Sequence, residues 1–151
     1  MQPHFLRETF APPPGMPAID FSAPAGAPAL FAADSLTWRV MKNPIALLAG
    51  GIAAVILELA EPRVRTGIWE HTSFRGDPVS RIRRTGYATM ATIYAPAEAA
   101  RALIARVNAM HARVSGTTPA GVAYRADDPE LLNWVQATAA FAFSEAYYRF
   151  A

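Results

Sequence analysis

Apolar side chains recur every three or four residues along the stretch from Ala97 to Gly116, as they do on one side of an α-helix. Pro96 suits the start of this helix, and Gly116 is expected to end it. The same reasoning predicts helices near 44–60, 78–94, 97–114 and 129–150, with Asp77-Pro78 and Asp128-Pro129 as two of the starts. The apolar stripe between Ala97 and Gly116 consists of Ala100, Leu103, Ile104, Val107, Met110 and Val114.

Two of these helices are unusually apolar. The run from Pro44 to Ala60 carries one charged residue, Glu58, and at 17 residues it is at the short limit for a membrane span. We therefore favour a buried helix and expect no transmembrane segment. The last helix is apolar nearly all round, which predicts a place in the middle of a bundle.

The remaining chain shows weaker patterns. Residues 1–34 contain seven prolines and no helical period, which predicts an extended arm that Phe5, Phe10, Phe21 and Phe31 can pin to the domain. Residues 35–151 form the predicted helical domain, beginning with a short helix capped by Asp34 or Ser35. Arg63–Gly76 looks irregular, Ser115–Asp127 looks like a loop, and no strand is predicted. The expected fold class is all-α.

Composition removes several classes of function. The chain has 151 residues, 52% of them hydrophobic, with a formal net charge of +2. It contains no cysteine, which excludes disulfides, iron–sulfur clusters and thiolate ligation. The Arg81, Arg83 and Arg84 cluster lacks interleaved aromatic residues, so no nucleic-acid partner is expected. Residues 1–10 do not resemble a signal peptide, and a cytoplasmic location is the default expectation.

The helix at 78–94 has two unlike faces. Val79, Ile82, Met90 and Ile93 form an apolar side that we expect in the core. The other side is polar or small, although threonine is a poor helix former and surface helices favour lysine and glutamate. This side is either a solvated face or the wall of a pocket. Its residues are Arg81, Thr85, Ala88, Thr89 and Thr92.

His111 lies on the apolar side of the helix that contains it, one turn after Val107. An imidazole in such surroundings needs a partner for each ring nitrogen. One interpretation is a core histidine bonded to a backbone carbonyl. The other is an axial ligand to a haem iron, for which a neutral imidazole on a helix is suited.

Seven short motifs follow one another along the chain. They are Trp38-Arg39-Val40; Pro44 with its apolar helix; Pro62 and Gly67; His71 with Phe74; Asp77-Pro78 with Arg81 through Thr85; Met110-His111 with Val114 and Gly116; and Tyr124 through Pro129 with Leu132 and Trp134-Val135. Taken in this order, they resemble the MpaB-type oxygenase and latex-clearing protein (rubber oxygenase) domain family, and the resemblance covers roughly Leu36 to Phe150.

This resemblance implies an all-helical bundle around one haem b and the dioxygenation of a carbon–carbon double bond. The implied proximal ligand of the haem iron is His111, and Arg81 and Thr85 are the implied catalytic residues. The resemblance also implies that the cofactor is bound by His111 together with Arg81, Arg84 and Thr85. Dioxygen and a small apolar substrate, such as an alkene, a terpenoid or a lipid-like molecule, are the expected partners.

The chain departs from the family pattern at three places. Arg84 stands where some rubber-cleaving members have a lysine that reaches the iron, and Gln136 stands where many relatives have a histidine. The family domain also normally continues beyond the position of Phe150, so the resemblance implies a C-terminal truncation.

Two alternative functions remain open. A truncated, non-catalytic helical module would bind a partner or self-associate through the exposed apolar C-terminal helix. A non-haem metal site would use His71 and His111 with Glu70 and Asp77 as carboxylate ligands.

Overall fold

The computed structural model describes residues 11–151 and confirms the all-α fold class. Six α-helices account for most of this part of the chain, with one 3-10 turn at Ser73–Arg75 and one short hairpin. The helices are α1 (Leu36–Lys42), α2 (Pro44–Glu58), α3 (Pro62–His71), α4 (Pro78–Tyr94), α5 (Ala97–His111) and α6 (Pro129–Phe150); the strands are β1 (Ser115–Thr117) and β2 (Ala123–Arg125).

The predicted helix starts are confirmed by their caps. The Asp77 carboxylate accepts a hydrogen bond from the backbone N–H of Ser80 at 3.0 Å, which satisfies a free donor of the first turn of α4. Asp128 does the same for α6, and Ser35 for α1. The predicted ends at Tyr94 and Phe150 are also confirmed, whereas α2 ends two residues and α5 three residues before the predicted end.

Two segments that we predicted to be irregular have regular structure. Pro62–His71 is a helix, whose first turn is capped by the Glu61 carboxylate. The predicted loop after α5 contains the antiparallel pair β1 and β2, in which Gly116 lies opposite Tyr124 and does not end the helix. A Cβ atom at Gly116 would stand 2.6 Å from the Tyr124 hydroxyl oxygen, so the glycine allows the ring to pack there. Strands of three residues are too short to show an alternating pattern.

The main packing contact joins α2 to α6. Small residues of α2, Ala46, Gly50 and Ala54, are buried and meet the side of α6 that carries Ala142 and Ala146. The opposite side of α2 is exposed, so our prediction of a buried helix was wrong for that side. The prediction of a central α6 was also wrong, since Phe141 and Tyr148 on its far side are exposed.

No single described helix is long and apolar enough to cross a membrane. The consecutive helices α1 and α2 reach that length and hydropathy only when they are taken together, and they meet at 95°.

The described part of the N-terminal arm, residues 11–34, contacts the helices. The Tyr87 hydroxyl on α4 donates to the Pro17 carbonyl oxygen at 2.9 Å and accepts from the Ile19 N–H at 3.0 Å. Phe21 packs edge-on against the Tyr87 ring, as predicted for a pinning residue. Phe31 lies at the rim of a cleft, and Phe5 and Phe10 lie outside the described residues. The division into an arm and a domain at residue 34 stays a prediction.

Candidate functional site

A cleft of about 590 Å³ opens between α1, α4, α5 and α6. Its size is within the range of small-molecule and cofactor sites, roughly 300–1,000 Å³. Its walls are mostly apolar, with a few hydroxyl and amide groups among them. The lining residues on α4, α5 and α6 are Thr85, Ala88, Thr89, Thr92, Ile93, Leu103, Ile104, Val107, Asn108, Gln136, Ala139, Ala140, Phe143 and Ser144.

The polar side of α4 forms one wall of this cleft and is not simply a solvated face. Each of its threonine hydroxyls donates to the carbonyl oxygen four residues earlier, at 2.9 to 3.0 Å. Because these donors are satisfied within the helix, threonine can line an apolar cleft without an unpaired hydroxyl proton. The residues concerned are Thr85, Thr89 and Thr92.

The apolar side of α4 was predicted correctly only in its second half. Ile93 is buried and Met90 is half-buried. Val79, in contrast, is 65% exposed, and Ile82 is exposed as well. In the first turns of α4 the predicted apolar side is therefore exposed, whereas Arg81 is half-buried.

Arg81 contacts Thr85, which lines the cleft, as their spacing on one helical face predicted. The Arg81 guanidinium donates a hydrogen bond to the Thr85 hydroxyl. Arg81 is half-buried, and burial lowers the pKa of its guanidinium, an effect that the charge of Glu58 opposes. The half-buried cation is therefore hydrogen-bonded within α4 and interacts electrostatically with Glu58 of α2.

His111 is half-buried at the last turn of α5, one turn after Val107 and Asn108, which line the cleft. Burial lowers the pKa of the imidazole, and the positive charge of Arg81 lowers it further, whereas Asp127 raises it. A lowered pKa keeps the imidazole neutral near pH 7, which is the form that binds a metal. The apolar stripe around it is buried only at Ala100 and Leu103, and Met110 is exposed.

Glu58 is the residue of this cluster that the sequence analysis did not select. It ends α2, and burial raises the pKa of its carboxyl to about 7 although Arg81 lowers it. Its backbone carbonyl oxygen also accepts a hydrogen bond from the Trp134 indole at 3.3 Å. The sequence carries one signal for it, since Glu58 is the only charged residue between Pro44 and Ala60.

Two other predicted residues lie apart from the cleft. Arg84 is exposed and does not line it, although its charge contributes to the lowered pKa of Arg81. His71 is exposed on α3, and its Nε2 is 3.2 Å from the Tyr124 hydroxyl oxygen. Among residues 11–151 no three His, Asp or Glu side chains are grouped as metal ligands. Asp77, the proposed carboxylate partner, instead caps α4.

The position of Gln136 is also informative. It lies on the α6 wall of the cleft, so the amide stands where the family resemblance leads one to expect an imidazole. An amide can donate and accept hydrogen bonds but is not a typical haem ligand.

Comparison with known proteins identifies one family. The model described as "ER-bound oxygenase mpaB/B'/Rubber oxygenase, catalytic domain" matches residues 38–151, which is well over half of the chain. No curated protein and no solved structure matches the chain.

Proposed function

Because the chain belongs to the mpaB and rubber oxygenase catalytic-domain family, whose function is that of an oxygenase, we propose that it is a haem b-dependent oxygenase. Its proposed substrate is an apolar alkene, terpenoid or lipid-like molecule. One observation supports the proposal most directly. The half-buried His111 and Arg81 interact electrostatically, and the two helices that carry them line an apolar cleft of cofactor size.

The residues present fit a haem by their chemistry. His111 would supply a neutral imidazole nitrogen to hold the haem iron, and Arg81 would supply a cation for a propionate. The lining of aliphatic side chains and internally bonded threonines suits an apolar macrocycle. Haem b, when bound, supplies an iron centre that activates dioxygen.

The chain's own side chains define the surroundings of that chemistry. Leu103, Ile104 and Val107 form an apolar wall, which excludes water and favours an apolar substrate over a polar one. Thr85 fixes the Arg81 guanidinium through their hydrogen bond, so that the positive charge is preorganised and does not have to be repositioned during the reaction.

The absorption spectrum of protein reconstituted with haemin tests this proposal. We expect a Soret band in the unmodified protein and its loss in His111→Ala. His71→Ala is the matched control, because His71 is exposed and bonded to Tyr124, and we expect it to keep the band. A protein that takes up no haemin, or a band that survives His111→Ala, would contradict the proposal.

The same absorption spectra test whether Arg81 and Thr85 contribute to haem binding. Arg81→Ala and Thr85→Ala should weaken haem retention, while the exposed Arg83 provides the control in Arg83→Ala. Equal losses in Arg81→Ala and Arg83→Ala would indicate a diffuse basic patch instead of a defined contact.

A further inference from the structure

The end of the N-terminal arm forms part of the wall of the cleft. The ring of Phe31 lines the cleft, and so do Leu36 and Thr37 at the start of α1 and Val40 and Met41 farther along it. The remaining lining residues belong to α4, α5 and α6. The cleft is therefore not built by helices alone, because Phe31 precedes the first of them.

Backbone contacts fix the segment that carries Phe31. The Ala97 N–H at the start of α5 donates to the Pro28 carbonyl oxygen at 2.9 Å, and an isolated β-bridge joins the two residues next to that pair. On the other side of Phe31, the Ser35 N–H donates to the Ala32 carbonyl oxygen at 3.0 Å. Phe31 thus lies between two backbone anchors, which give its ring a defined place beside the cleft.

Phe31 differs from Phe21, the other phenylalanine in the described part of the arm. Phe21 packs edge-on against Tyr87, with ring centroids 6.3 Å apart, and does not line the cleft. Phe31 lines the cleft and leaves 38% of its surface exposed. A large ring in this position gains from contact with an apolar molecule in the cleft, since that contact removes apolar surface from water.

This part of the wall lies outside the region that matches the family. The match begins at residue 38, so Phe31, Leu36 and Thr37 precede it, whereas the lining from α4, α5 and α6 lies within it. The cleft thus combines walls of the oxygenase domain with a wall from the preceding segment. Such a wall can change which ligand fits without any change around Arg81 and His111.

The size of the cleft determines which ligands reach Phe31. Its volume is about 590 Å³. A small apolar molecule fills only part of that space and can bind without contact with the ring. A longer molecule extends to the ring and must fit beside it. Apolar pockets discriminate strongly at such a boundary, because one methylene group too many or too few changes selectivity by roughly 10–200-fold.

We propose that Phe31 sets the upper length of the apolar ligand that the cleft admits. The helices supply the general apolar surface, and the end of the arm limits how far a bound chain extends. The inference rests on the proposed function only for the class of ligand, a terpenoid or a similar apolar chain, since Phe31 is not among the residues assigned to haem binding.

Equilibrium dialysis with two terpenoid alcohols tests the proposal. Geraniol and geranylgeraniol share one repeating unit and one hydroxyl group and differ in length. Phe31→Ala should tighten the binding of geranylgeraniol at least about threefold, because it removes the obstructing ring, and should leave the Kd of geraniol unchanged. Phe31→Trp should weaken the binding of geranylgeraniol by about the same factor, because the larger ring overfills the boundary.

Two substitutions of Phe21 are the matched controls. Phe21→Ala and Phe21→Trp change the same residue type in the same arm, at a position that does not line the cleft. They should leave the ratio of the two dissociation constants as it is in the unmodified protein. Circular dichroism checks that each variant is folded.

Three results would overturn the proposal. The first is an unchanged ratio in both Phe31 variants. The second is an equal change in the Phe21 variants, which would assign the effect to the arm as a whole. The third is a failure of the unmodified protein to bind either alcohol.

The Soret absorbance of the same samples keeps this inference separate from the haem proposal. A shifted ratio in haemin-treated samples without a Soret band would support the length limit and contradict haem binding. A Soret band with an unshifted ratio would contradict the length limit alone.

Discussion

At the scale of single residues, the site is organised by the charge of Arg81. Its guanidinium lowers the pKa of both Glu58 and His111, which come from different helices. Removal of Arg81 would leave the half-buried Glu58 carboxyl without its nearby positive charge. Substitution of an ordinary surface arginine changes the free energy of unfolding by about 0.5 kcal/mol or less. Substitution of Arg81 is therefore expected to lower the free energy of unfolding by more than this amount.

Glu58 gives a prediction for the pH dependence of stability. The pKa of its carboxyl is about 7 in the folded protein, whereas the ordinary value for a glutamate is 4.5. Between these two pH values the folded protein therefore keeps a proton that the unfolded chain releases. The stabilisation from the neutral carboxyl is complete below about pH 4.5 and is lost as the pH rises through about 7. Stability should therefore fall between these pH values.

Urea unfolding at pH 5 and pH 8 measures this effect. Glu58→Gln should be more stable than the unmodified protein at pH 8, by about 1 kcal/mol after allowance for partial solvent exposure, and the difference should shrink at pH 5. The control variant is Glu98→Gln, because Glu98 is exposed. A difference that does not change with pH would show that the burial of Glu58 has been misassigned.

At the scale of elements, close approach of α2 and α6 depends on one glycine. A Cβ atom at Gly50 would stand 2.9 Å from the Cα atom of Phe143 and closer still to its ring. At the next position, Gly51, a Cβ atom would meet only the tip of the Phe143 ring at 3.9 Å. The two adjacent glycines therefore have different structural roles.

Thermal or urea unfolding of two alanine variants checks this difference. Gly50→Ala should lower the free energy of unfolding by about 1–3 kcal/mol, because backbone must move to admit the methyl group. Gly51→Ala should be neutral or stabilising by up to about 1 kcal/mol, since alanine is the better helix former. Equal effects of the two changes would mean that the helices do not approach as closely at Gly50 as described.

At the scale of the whole molecule, the N-terminal arm is attached at several places. Tyr87 makes two hydrogen bonds to the arm, the Arg106 guanidinium donates to the Gly15 carbonyl oxygen at 2.8 Å, and the Ala97 N–H donates to the Pro28 carbonyl oxygen at 2.9 Å. These contacts connect a proline-rich segment without a helical period to α4 and α5.

Limited proteolysis measures how firmly the arm is held. Tyr87→Phe removes the hydroxyl that bridges Pro17 and Ile19 and should cost about 1–2 kcal/mol, with faster cleavage within residues 11–34. Tyr148→Phe is the control, because that ring is 87% exposed and lies on α6. Unchanged cleavage in Tyr87→Phe would show that the arm is held by its other contacts.

The sequence by itself determined the starts of most helices, and it singled out the polar side of α4 without deciding between a solvated face and a pocket wall. Helix starts are local, since an Asp or Ser cap followed by proline satisfies backbone donors within one turn, and this is why the starts at Pro78 and Pro129 were predicted correctly. The contact between Arg81 and Thr85 could also be predicted from the sequence, because residues four positions apart lie on the same face of a helix. Family membership was also correctly predicted, from seven motifs in order.

Only the tertiary structure decided which apolar surfaces are covered. Hydrophobic residues occur on both sides of α2, but close packing on α6 selects the side with the smallest side chains, which leaves Ile45, Leu48, Ile52 and Ile56 exposed. The perturbed pKa of Glu58 likewise depends on burial and on Arg81, 23 positions later in the sequence. Local patterns specify which backbone conformation a segment takes, whereas burial depends on which neighbours the remaining chain brings to it.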